Sequence, residues 1–247
     1  MGRVQGESVL SRVVRVLEAF TPVDTTLRVT DVAARTGLHV ATASRLVAEM
    51  VTHGLLTREP DRSVRVGVRL WELASRASPV LSLRQAAMPF LEDLHAVIGH
   101  HVQLGVLAET EVLFVERLSA PNAVINYTRI AGRLPLHASS SGLVLLAHAP
   151  AELQERVLAG PLRRYTANTI TTPRALRAAL AAVRRDGYAY TPGHIHEDAL
   201  GIAVPVRDGR RTVVAAIAAI VPNEPEARGV VPALRAASLG LTRTLAS

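Results

Sequence analysis

The chain has 247 residues, enough for two domains that each bury a core, and it contains no cysteine, which excludes disulfides, thiol nucleophiles and cysteine-ligated zinc. Its net charge is +7, and all 28 basic residues are arginine. Positions 1–78 hold 11 arginines against 8 acidic residues, so the basicity is spread along the chain and does not itself mark a nucleic-acid-binding segment.

No stretch reaches the roughly 18 apolar residues of a membrane span, and the N-terminal residues lack a signal-peptide core, so a cytoplasmic protein with no membrane partner is expected. Ser8 to Phe20 places Val9, Val13, Val16, Leu17 and Phe20 on one face, which predicts an amphipathic helix. Thr21-Pro22-Val23-Asp24 ends it, and Leu27-Arg28-Val29 reads as a short strand. Val29 to Leu56 then reads as two short helices about a glycine turn. In the first, Val32, Ala33 and Thr36 share a face, Thr30 reads as the N-cap, and Gly37 supplies the left-handed stop. The second begins near His39 or Val40 and buries Ala43, Leu46, Val47 and Met50.

That burial leaves Ala41, Thr42, Ser44, Arg45, Ala48 and Glu49 facing outward. Small residues, hydroxyls and one arginine toward a helix N-terminus suit a major groove, the alternative being a helical hairpin inside a larger core. Leu55 to Val66 reads as two extended pieces around Pro60-Asp61. In this wing Arg58, Arg62 and Arg65 either contact phosphates or the minor groove or are simply solvated. Three helices followed by a wing predict a winged helix-turn-helix over residues 1–66. Residues 67–79 form a linker helix, with Trp71 a packing anchor against the reader or a partner subunit.

From residue 80 the pattern changes. A helix over Leu81 to Ile98 is followed by strand-like runs at 101–107 and 112–118, a third strand at Ala123 to Ile130, and helices at 142–149, 151–159 and 173–186. Strands at Tyr188 to Pro192, Ala199 to Val206 and Thr212 to Val221 precede a closing helix, Gly229 to Leu245. Strands and helices interleave without regular βαβ spacing, so residues 80–247 are expected to form one α+β domain.

The segment from Thr36-Gly37-Leu38 to Arg45-Leu46 is similar to the turn and recognition helix of IclR-type (isocitrate lyase regulator) transcription factors. The blocks Gly132 to Gly142 and Glu197 to Val206 resemble the GAF-like effector-binding domain of the same family, and the likeness covers nearly the whole chain. The resemblance implies a homodimer or dimer of dimers on double-stranded, palindromic operator DNA, whose affinity for DNA changes when a small metabolite binds. A repressor is the leading reading and an activator its alternative.

Ser139-Ser140-Ser141-Gly142 leads into an apolar helix, so hydroxyls and N–H groups converge on a helix N-terminus, either as an anion site or as ordinary serine capping. The resemblance places the effector here; Leu136 from the same block is an expected contact, and His194 is read as a pH-tuned or hydrogen-bonding ligand contact. Where relatives that sense small oxo-acids carry serines on the last strand, this chain has Ala218 and Ile220, and Ile202 and Val204 are expected across the cavity. Unpaired ligand oxygens against such a wall would cost on the order of 1–3 kcal/mol each. A larger effector is therefore expected: a partly hydrophobic organic acid or aromatic metabolite with one polar end.

His194 and His196 share a face if extended but lack a third ligand at diagnostic spacing, so no metal is expected. No GxSxG, GxxxxGK[ST], HExxH or dinucleotide fingerprint is present, so neither enzyme activity nor a cofactor is expected. A remote alternative is a hydrolase using His137 beside the serine run. A purely architectural DNA-binding protein would leave the α+β domain unexplained.

Overall fold

The computed structural model describes residues 7–76, 78–121, 123–124, 126 and 128–246. They form two compact units that divide between Ser78 and Pro79.

The first unit runs α1 (Val9–Glu18), β1 (Thr26–Leu27), α2 (Val29–Thr36), α3 (Val40–Thr52), β2 (Leu56–Arg58), β3 (Val64–Val66) and α4 (Val68–Ser75). Val16, Val32, Leu46, Val47, Met50, Leu56 and Val64 make its core, so α1 to α3 and both wing strands share one apolar centre. The strands pair antiparallel in the order β1-β3-β2.

Gly37 caps α2 in the left-handed region at φ 66°, which lets the chain turn directly into α3. Two sequence expectations need correction here. Arg28, not Thr30, is the N-cap of α2, because the Asp31 carboxylate accepts the Arg28 backbone N–H at 2.9 Å. The helix therefore starts at Val29 and draws Arg28 and Val29 out of the expected strand. Thr30 is an exposed first-turn residue.

α4 ends at Ser75 and groups with the first unit. None of its residues is buried, and Trp71 is 68% exposed, so the expected anchor against the reader is not formed within the unit.

The second unit is built on a six-stranded sheet, ordered β6-β5-β4-β9-β8-β7 and antiparallel throughout. Its strands are β4 (His101–Ala108), β5 (Glu111–Leu118), β6 (Arg133–Pro135), β7 (Ala189–Pro192), β8 (Ala199–Arg207) and β9 (Val213–Pro222). One face carries Leu104, Ile202, Val204 and Ile217 and packs on α5 (Pro79–Ile98) and α9 (Val231–Ala246). The other carries Phe114, Ala203, Ala216 and Ala218 and packs on α6 (Ser140–Ala147), with α7 (Ala151–Ala159) and α8 (Pro173–Asp186) outside it. Small residues on this second face let the wholly buried α6 sit close to the sheet.

The third strand expected at Ala123 to Ile130 is absent from the residues described there, positions 125 and 127 lying outside them. The edge strand is β6 instead. Ala131 turns left-handed at φ 62° and its N–H bonds Phe114 O, so regular pairing with β5 begins only after this turn.

Candidate functional site

In the first unit α3 presents Ala41, Ser44 and Arg45 to solvent, with Thr42 half-buried, above the buried seam of Ala43, Leu46, Val47 and Met50. His39 caps the helix, its Nδ1 accepting the Ala41 N–H at 3.3 Å. Beyond it, the wing exposes Arg58, Arg62 and Arg65. Arg62 occupies the tip at φ 66°, next to Asp61, whose carboxylate takes the Ser63 hydroxyl at 2.6 Å and its N–H at 3.0 Å. Those bonds hold the Asp61 carboxyl below its ordinary pKa. Arg65 pairs with Glu59, and Arg58 donates to Arg62 O at 3.3 Å. Exposed contacts of this kind contribute at most about 1 kcal/mol, so a phosphate can replace them readily.

In the second unit a cleft of about 460 Å³, counting the part open to solvent, lies between the α6 face of the sheet and the segments before α6 and after β7. Its floor follows the strand parity: Gln103 on β4, Ile220 on β9, Ala199 and Gly201 on β8, and Thr191 on β7. Leu134, Ala138 and Ile195 complete the apolar part. Polar groups gather at two ends. At one are Ser139 and Ser140, with Thr191 and His196; at the other Gln103 meets Thr128 and Asn126.

The serine end is built by capping. Ser139 Oγ accepts the Gly142 N–H at 3.1 Å, and a Cβ on Gly142 would stand 2.5 Å from Leu136 O, so glycine is required for the chain to enter α6 here. Ser140 sits over Gly201, and Thr191 Oγ1 donates to Gly201 O at 2.9 Å. The α6 N-terminus thus offers N–H groups and hydroxyls, which suit a carboxylate without an arginine among the lining residues.

Of the expected contacts, Ser139, Ser140 and Ile220 line the cleft. Leu136 and Ala218 are fully buried in the core beneath α6, while Ser141 and Gly142 are buried within that helix. Ile202 and Val204 point to the opposite face of the sheet, toward α5 and α9. The expectation for β8 was out of step by one residue, and in a period-two strand that reverses the side. Gln103, Thr128 and Asn126 were missed, so the expected wholly apolar wall is replaced by one with a polar end. A glutamine alternating with Val102 and Leu104 was the signal available for that end.

His194 stands beside the lining residues Ile195 and His196, with Nδ1 buried and without a partner among the described residues. Burial, and then the charge of His137, push its pKa down to about 4, so it is neutral at pH 7. Among the described residues no three His, Asp or Glu side chains come together to hold a metal. His137 directs Nε2 to Arg163 O at 2.9 Å, so this nitrogen is tied to backbone and not to a serine. Among the described residues no helix is long and apolar enough to cross a membrane.

Residues 9–60 match the model of the IclR helix-turn-helix domain, and residues 76–239 match that of the bacterial transcriptional regulator IclR C-terminal domain. The Escherichia coli transcriptional regulator XynR is 30% identical over 210 residues, 84% of this chain and 83% of that protein. An IclR homologue from Microbacterium hydrocarbonoxydans, crystallised with 4-hydroxybenzoate, is 49% identical at a TM-score of 0.92, covering 96% of this chain and 99% of that one. Another, from Microbacterium sp. strain HM58-2, is 47% identical at a TM-score of 0.64, covering 97% and 98%.

Proposed function

The chain belongs to the IclR family of DNA-binding transcriptional regulators, and from that premise we propose that it is a repressor released from or tightened on its operator by an aromatic or partly hydrophobic organic acid. The observation that carries this reading is the cleft, polar at both ends and apolar between, at the N-terminus of α6. A carboxylate fits the Ser139–Ser140 end, where a helix dipole favours negative charge, and a ring fits over Ile220, Ala138 and Leu134. The 4-hydroxybenzoate complex of the Microbacterium hydrocarbonoxydans relative supports the same ligand class.

On the DNA side, the first turns of α3 enter a major groove with Ala41, Thr42, Ser44 and Arg45, Thr30 approaches the backbone, and the wing arginines lie along phosphates or the minor groove. One such helix reads few bases, so the operator is a palindrome gripped by a homodimer, or by a dimer of dimers. Val68 and Trp71 on α4, exposed and one helical turn apart, suit a subunit contact.

The test is a footprint of the DNA upstream of the chain's own coding sequence, at several salt concentrations. Two protected half-sites one or more helical turns apart, with binding that falls steeply with salt, are expected. Protection independent of sequence would contradict the reading.

A further inference from the structure

The amide of Asn126 is held in one orientation at the end of the cleft away from the serines. Its Oδ1 accepts the Thr128 backbone N–H at 3.0 Å, and a flipped amide would set donor against donor. Nδ2 is the group left over, and it is buried without a hydrogen-bond partner among the described residues. Buried amide donors are rarely left so, because nothing replaces the water they give up. The Thr128 hydroxyl lies 2.6 Å from Gln103 Oε1, which ties this end to β4. Ser140 lies over Gly201 on β8, and β9, carrying Ile220, runs between the two strands. Neighbouring strands are about 4.8 Å apart, and Gln103, opposite Ala218, stands two residues along the sheet from Gly201, opposite Ile220, so the polar ends are separated by roughly 12 Å across an apolar middle. That is the span of one ring with an oxygen substituent and a hydrogen bond at each end.

We propose that Asn126 is a specificity-determining residue whose Nδ2 donates to an acceptor oxygen on the effector at the end opposite its carboxylate. The effector is then an acid with a second oxygen across the ring, and a methyl group in that place leaves the donor unpaired. This rests on the reading of the cleft as the effector site.

The test is calorimetric titration of the full chain, and of Asn126→Ala, with benzoate, 4-hydroxybenzoate and 4-methylbenzoate. The unaltered chain is expected to prefer 4-hydroxybenzoate over 4-methylbenzoate by about tenfold or more, the penalty for a buried unpaired group. In Asn126→Ala that preference should fall below about threefold. Should the alanine variant fail to fold, Asn126→Leu, which keeps the volume, carries the same comparison. Equal binding of the hydroxy and methyl acids by the unaltered chain, or a preference that survives in a folded variant, would overturn the inference alone. Binding of none of the three acids would overturn the aromatic-acid reading and the inference with it.

Discussion

Gly201 on β8 passes so close beneath Ser140 that a Cβ placed on it would stand 2.8 Å from Ser140 Oγ and 2.7 Å from Thr191 Oγ1. The serine end of the cleft therefore depends on a missing side chain in the floor. Gly201→Ala should displace Ser140 or Thr191, lower stability by about 1–3 kcal/mol through overpacking, and weaken acid binding. Chemical denaturation and calorimetric titration of the same variant check both effects. Unchanged acid affinity would show that Ser140 does not set this end.

The two neighbouring serines should separate cleanly. Ser140 lines the cleft, whereas the buried Ser141 Oγ lacks a partner among the described residues and lies outside the lining. Ser140→Ala should cost one hydrogen bond to the acid, about 0.5–1.5 kcal/mol of binding. Ser141→Ala removes an unsatisfied hydroxyl, so its thermal midpoint should hold or rise with effector affinity unchanged. A loss of affinity in Ser141→Ala alone would place the ligand deeper than the cleft.

Arg45 is exposed on α3 at the end proposed to enter the groove, and Arg62 stands at the wing tip. Arg45→Ala should weaken operator binding by about 1–3 kcal/mol while effector affinity is kept, as measured by fluorescence anisotropy on labelled operator and by calorimetry. Arg62→Ala should lower the slope of log K against log salt by about one. Unchanged isotherms for both variants would remove this face from the interface.

The depressed pKa of His194 gives stability a definite pH dependence. Burial, then the charge of His137, lowers the folded value to about 4 from the ordinary 6.5, so between these values the unfolded chain binds more protons than the folded one. Stability from this group is complete above pH 6.5 and is lost as pH falls toward 4. His101 and His148 are lowered in the same direction, chiefly by burial. Denaturant midpoints should drop between pH 7 and pH 4.5, and less steeply in His194→Gln. An equal drop in that variant would assign the effect elsewhere.

The DNA-reading unit was legible because its signals are local: the seam of Ala43, Leu46, Val47 and Met50, the glycine at 37 and the Pro-Asp wing turn each act within a few residues. Its error at Thr30 arose where the Asp31 carboxylate took the Arg28 N–H, a contact that competes with serine or threonine capping and leaves no distinct pattern. In the second unit, Ser139 and Ser140 were legible from the cap. The opposite end was not, because Gln103 and Thr128, 25 residues apart in the chain, meet with Asn126 only through strand pairing and the segment between β5 and β6. The parity of β8 was hidden as well: Leu200 to Val204 is apolar without a break, so periodicity could not say which alternate residues face the cleft.

The central claim is that occupancy of the cleft changes the grip on DNA. Its most direct test is the operator isotherm of the full chain with and without saturating 4-hydroxybenzoate, at one fixed salt concentration. A shift in operator Kd of about 5- to 150-fold is predicted, with the reciprocal shift in acid affinity when operator is present. Identical operator Kd values with the acid demonstrably bound would contradict it.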